Sequence, residues 1–186
     1  CESYTVGSNE FYVGYAARKG NVGLCLDLGH FHPTESVADK VSAVAPWAPF
    51  ILLHASRGVR WDSDHVVLLG KELQDICDEA VRGGVLGKMA FATDYFDGSV
   101  NRICAYVVGV RAMRKGILRA LLEPANLLRG LEGSGKQAHK MALMEHRLEL
   151  PFGAVWDYAC LKSGKAAGVS WLGEVDEYEE RVLSRR

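Results

Sequence analysis

Leu24-Cys25-Leu26-Asp27-Leu28-Gly29-His30-Phe31-His32-Pro33-Thr34-Glu35 is an apolar run that stops on a carboxylate, turns at a glycine and releases two histidines. This reads as a buried strand over 22–27 that delivers polar donors from its C-terminal end into a loop. Asp27 and His30 offer an oxygen and a nitrogen suited to a divalent metal, although polar residues at an ordinary strand-to-loop transition look the same. Working outward, Phe50-Ile51-Leu52-Leu53 is a second short apolar strand followed by His54, and Lys88-Met89-Ala90-Phe91-Ala92-Thr93 is a third followed by Asp94. Between the first two, Pro33-Thr34-Glu35 is expected to open a helix that runs to about Val44. Between the second and third, Leu73, Ile76, Cys77 and Ala80 recur at helical spacing over 71–82. Three strands separated by helices, each ending on a possible ligand, form a βα pattern with its chemistry on one rim.

Residues 1–20 read as a loop entering a short helix. After Asn101 the strand pattern stops, and helical stretches cover roughly 101–129, 137–149, 152–162 and 170–185, broken at Pro124, Gly133/Gly135, Pro151 and Gly164/Gly168. The expected division is a partial βα barrel over 1–100 carrying the ligand loops, followed by a helical region over 101–186 that packs on the barrel and on subunit neighbours.

The 186 residues hold 22 Lys+Arg against 23 Asp+Glu. A balance this close to neutral points to neither a nucleic acid nor an anionic membrane as partner. No apolar run approaches the roughly 20 residues of a bilayer span, and no signal peptide is visible at the first residues. The five cysteines, Cys1, Cys25, Cys77, Cys104 and Cys160, contain no C-x-x-C pair and read as buried small hydrophobes of a reducing compartment, so a cytoplasmic location is expected.

Asp62-Ser63-Asp64 adds two carboxylates two residues apart, which point the same way in an extended segment. With Asp27, His30, His54 and Asp94 they make six oxygen and nitrogen donors without a thiolate, a set that favours manganese, magnesium or cobalt, with zinc possible at one site. The natural division is a rigid site of strand-end residues, Asp27, His54 and Asp94, and a more open loop site of His30, Asp62 and Asp64. Open positions on a hard metal fit hydroxyl or carbonyl oxygens, as in a sugar. His32 and His65 read as structural or as supports behind the ligands. Trp61 and Phe96 fit either core packing or a wall against a sugar's apolar face, and Asp97 and Arg102 fit an ion pair. Gly130-Leu131-Glu132-Gly133-Ser134-Gly135-Lys136 imitates a phosphate-binding loop, but Gln137 stands where Ser or Thr belongs and a helix precedes it, so it reads as a turn between helices.

Leu26-Asp27-x-Gly29-His30-Phe31-His32-Pro33-Thr34-Glu35, Leu53-His54-x-Ser56-Arg57 and Val59-Arg60-Trp61-Asp62-Ser63-Asp64-His65-Val66-Val67 resemble L-rhamnose isomerase. Asp94-x-Phe96-Asp97-x-Ser99-x-Asn101-Arg102 and Pro151-x-x-Ala154-Val155-Trp156 carry the resemblance further, over essentially the whole chain. It implies the last strands of a (β/α)8 TIM-type barrel with a helical tail, in a cytoplasmic homotetramer that interconverts L-rhamnose and L-rhamnulose. It implies Mn2+ at a catalytic site of His30, Asp62 and Asp64, and a second divalent ion, Zn2+ or Mn2+, at Asp27, His54 and Asp94. His30 and Asp94 are the expected catalytic residues, with hydrogen passing as a hydride and Asp94 and a metal-held water moving the hydroxyl proton. The family chain is longer, with a glutamate ligand and an assisting lysine upstream of position 1, so a C-terminal portion is expected. The residues alone leave open a metal-dependent hydrolase on the same barrel type, or an inactive or assembly-dependent fragment.

Overall fold

All three expected strands form; burial alternates along the first two, while in the third only Met89 is buried and the residues after it are half-buried. A computed structural model describes residues 8–57, 66–95 and 97–185. The chain divides into two compact units, Cys1–Leu121 and Leu122–Arg186.

In the first unit, strands β1 (Leu24–Asp27), β2 (Ile51–Ala55) and β3 (Met89–Thr93) lie in that order in one parallel sheet. Leu26 pairs with Leu53 and Leu53 with Phe91; one step on, Asp27 pairs with His54 and His54 with Ala92. Because successive residues face opposite sides of a sheet, Leu24, Leu26, Ile51, Leu53 and Ala55 are buried on one face. Cys25, Asp27, Leu52 and His54, all exposed or half-buried, share the other. Parallel strands need helical crossovers. Here these are α2 (Val37–Val44), after α1 (Asn9–Lys19), and α3 (Lys71–Arg82).

The helices cover the apolar face of the sheet. Val37, Ala38, Val41 and Val44 form the buried stripe of α2, and Leu73, Ile76, Cys77 and Ala80 that of α3, both at the spacing of one helical face. Glu72 accepts a hydrogen bond from the Val37 N–H at 3.3 Å, so the start of α3 satisfies an open donor at the start of α2. Lys88 donates to the carbonyls of Ala45 and Ala48, the latter at 3.3 Å, where cations suit a helix C-terminus. Helix α4 (Arg102–Leu121) packs on α3. There Arg119 reaches the buried Asp78 carboxylate at 3.2 Å, and Arg82 flanks it at 3.6 Å.

The expected helix at Pro33 starts later, at Val37. Residues 32–35 instead form a turn closed by the Glu35 N–H on the His32 carbonyl, 2.8 Å. His32 is occupied in the same turn, its Nδ1 lying 2.7 Å from the Thr34 hydroxyl. Glu35 pairs with Lys40 at 3.0 Å, and that contact holds its carboxyl below the usual range.

The second unit is helical: α5 (Ala125–Gly133), α6 (Gln137–Leu148), α7 (Phe152–Lys162) and α8 (Leu172–Arg181). A buried ion pair between Glu123 and Arg147, 2.5 Å, ties the approach to α5 to the end of α6. The glycine-rich 130–136 stretch is the end of α5 and the turn into α6, with Gly135 at φ 73°. It follows a helix, as its non-nucleotide reading requires.

No helix among the described residues is long and apolar enough to cross a membrane.

Candidate metal centre

The C-terminal rim of the sheet gathers three of the six expected donors. Asp27 closes β1, His54 is its register partner on β2, and Asp94 follows directly on β3. His54 thus sits inside β2 and not past its end, because the ladder runs on through Ala55. The Asp94 N–H continues the pairing by donating to the Ala55 carbonyl at 2.8 Å, so this carboxylate too inherits the rigidity of the sheet.

Asp27 is oriented by its own turn. The Gly29 N–H donates to its Oδ1 at 3.0 Å, leaving Oδ2 aimed across the strands at His54 Nδ1, 2.7 Å away. A Cβ at Gly29 would stand 3.4 Å from that same Oδ1 and 3.3 Å from the buried Ser56 hydroxyl, so the turn fits closely around Asp27. The other imidazole nitrogen of His54, Nε2, lies 3.9 Å from Asp94 Oδ1. His54 therefore stands between two carboxylates, one bonded and one in reach. His30 Nε2 lies on the outer side of the cluster, 3.7 Å from Asp27 Oδ2, and is more open to solvent than the other three.

Ligand atoms of Asp27, His54 and Asp94 all lie within 4.8 Å of one another. Donors on one divalent ion at about 2.1 Å are at most about 4.2 Å apart, so small side-chain rotations suffice for the trio to share an ion. Two carboxylate oxygens and an imidazole nitrogen, without sulfur, suit manganese, magnesium, cobalt or zinc. This is the strand-end group expected from the sequence. Of the loop group, His30 is at the rim, while Asp62 and Asp64, with Arg60, Trp61 and His65, lie outside the described residues, as does Phe96.

An open cavity of about 430 Å³ borders the site, lined among others by Tyr12, Cys25, Asp27, His30 and Phe31. That size lies in the range of small-molecule sites. Asp97 points elsewhere: it accepts from the Ser99 N–H at 2.8 Å and from its hydroxyl at 2.5 Å, and these bonds hold its carboxyl below the usual range. Sequence spacing missed the direct Asp27–His54 bond, since it depends on how two strands align. The only signal for it was that both donors end apolar runs.

Comparison with known proteins identifies the family. The sequence model of the L-rhamnose isomerase (RhaA) family matches residues 1–186. The L-rhamnose isomerases of Salmonella newport and Citrobacter koseri are each 52% identical to the chain over 185 residues. So is that of Salmonella typhimurium. The alignments cover all of this chain but 44% of those relatives, so the chain spans less than half of their length.

Proposed function

Because the chain belongs to the L-rhamnose isomerase family, we propose that it supplies the metal-binding rim of an aldose–ketose isomerase that interconverts L-rhamnose and L-rhamnulose. The observation that carries this reading is the convergence of Asp27, His54 and Asp94 on one edge of a parallel sheet. In this reading the trio holds one divalent ion, zinc or manganese. His30 joins Asp62 and Asp64 around a second, catalytic manganese, a division supported by the looser placement of His30.

The three-stranded sheet is read as one arc of a (β/α)8 barrel. All its pairings are parallel, helices bury one face over the first two strands, and the opposite face presents Cys25, Leu52 and His54 as the inner wall of a barrel would. The proposed assembly is a homotetramer in the cytoplasm. Large apolar side chains exposed on the second unit's helices, among them Met141 and Leu161, support association. The described cysteines, Cys25, Cys77, Cys104 and Cys160, are all free thiols, which suits a reducing compartment.

Conversion of aldose to ketose moves one hydrogen from C2 to C1 and one proton from O2 to O1. The chemistry a bound divalent ion supplies here is Lewis-acid polarisation of the two oxygens. Asp94 takes the O2 proton and returns it at O1. His54, bonded to Asp27 through Nδ1, keeps the carboxylates apart and aligned, while the turn bond from Gly29 keeps Asp27 from swinging away. His30, at the mouth, would hold the second ion where the sugar's oxygens reach the rim.

The test is conversion of L-rhamnose with added manganese, by this chain alone and mixed with the separately expressed N-terminal remainder of the Salmonella enzyme. Activity that appears on mixing and disappears with Asp94→Asn is the expected result. Inactivity of the mixture with manganese bound would overturn the assignment. Retention of deuterium from C2-labelled sugar in the product would support the hydride route, and its loss to solvent would remove it.

A further inference from the structure

Past Asp94 the chain does not wander. Tyr95 turns its ring onto the backbone of α4, where its hydroxyl donates to the Tyr106 carbonyl at 3.2 Å and its ring packs against the Tyr106 ring with centroids 4.6 Å apart. The contact is possible because position 109 is glycine. A Cβ there would stand 2.3 Å from the Tyr95 hydroxyl oxygen and 2.7 and 2.8 Å from two ring carbons. Gly109 lies in the middle of a 20-residue helix, where glycine is an unfavourable choice for the helix itself. The missing side chain bares the 106–110 backbone to a hydroxyl that a larger residue would shut out. Burial raises the Tyr95 hydroxyl above its ordinary pKa, in keeping with a ring seated in the protein.

We propose that Gly109 and Tyr95 form a lock that positions Asp94. Asp94 is held from one side by its N–H on the Ala55 carbonyl, 2.8 Å, and from the other by the seated ring of the next residue. Between these two anchors its backbone has little freedom, and its carboxylate stays within reach of His54. Gly109 touches no ligand and acts only through Tyr95, as a positioning residue. The metal part of this proposal rests on the reading of Asp94 as a donor. The backbone part does not.

Gly116 provides the matched control. It lies on the same helix, and a Cβ there would stand 3.0 Å from the Cys77 sulfur, on the α3 side and away from Asp94. The experiment compares Gly109→Ala, Gly116→Ala, Tyr95→Phe and the double variant Tyr95→Ala/Gly109→Ala in the 186-residue chain. It reads amide hydrogen exchange at Asp94 by NMR and manganese affinity by electron paramagnetic resonance. Gly109→Ala is expected to speed Asp94 exchange and weaken manganese binding, each by about tenfold, the scale on which supports behind a ligand act. Gly116→Ala should leave both within about twofold, whatever it does to the melting temperature. Tyr95→Phe, which keeps the ring and loses the hydroxyl's bonds, the one to the Tyr106 carbonyl among them, should fall between, and it decides the matter if Gly109→Ala fails to fold. The double variant should regain the thermal stability lost in Gly109→Ala, since the clash is gone, but not the affinity. Equal effects of the two glycine substitutions, or no effect of Gly109→Ala on Asp94 exchange, would overturn the lock. If the unsubstituted chain binds no manganese, the metal reading above fails, and exchange at Asp94 still decides whether the lock exists.

Discussion

Leu53 and His54 are neighbours on the central strand, yet they live in different proteins, so to speak. Leu53 is fully buried, paired with Leu26 and Phe91 and covered by helices whose apolar stripes match the sheet. His54, one residue on, faces the opposite side, bonded to Asp27 and half open to solvent. The helix side is finished, and its polar demands are met internally by Glu72, Lys88 and the Asp78–Arg119 pair. The rim side keeps polar atoms together that the same sheet could have left apolar. Clustering two carboxylates around an imidazole contributes little to stability at such exposure, so the proposed binding role of the rim comes at small folding cost.

This contrast gives four expectations in falling order of their effect on stability. Leu53→Ala should cost about 2–5 kcal/mol by urea denaturation, the range for emptying a packed core. A cost below about 1 kcal/mol would mean the helix side is not a dry core. Asp78→Asn should cost about 2 kcal/mol, because it leaves Arg119 facing a neutral group in a mostly buried niche. The same loss in an Arg119→Met background would show that the pair is not the cause.

The third expectation concerns pH. Burial pushes the Cys77 thiol from 9.0 up to about 12, so the folded state holds its proton more tightly than the unfolded chain. That stabilisation is complete below pH 9 and is lost as pH rises toward 12. Melting temperatures measured from pH 8 to 11 should therefore fall more steeply for the unsubstituted chain than for Cys77→Ala. Parallel curves would refute the assignment. The smallest effect belongs to the rim: His54→Gln should change stability by less than about 1 kcal/mol. A larger loss would make the Asp27–His54 contact structural and blur the contrast between the two faces.

Much of the helix side was legible because periodicity is a local property. The α3 stripe from Leu73 to Ala80 and the three apolar runs needed no knowledge of what they would meet. The grouping of Asp27, His54 and Asp94 was legible, since each stands at or next to the end of an apolar run, but not its wiring. That His54 bonds Asp27 follows from a register in which residues 27 apart become partners, which no spacing reveals. Pro33 misled for a related reason: a proline suits a helix start, but the side chains of Glu35 and Thr34 were committed to a turn around His32. Gly109 carried no signal at all, as its meaning lies in a tyrosine that reaches it from another element.

The account stands on the Asp27–His54–Asp94 trio holding a divalent ion. The most direct measurement is a manganese titration of the 186-residue chain, followed by electron paramagnetic resonance, beside His54→Gln and Asp94→Asn. The account predicts saturable binding whose tightest equivalent weakens by about 100-fold in both variants, at nearly unchanged melting temperature. Affinity that stays the same in both would contradict it, and the rim would then be a hydrogen-bonded edge of the sheet and nothing more.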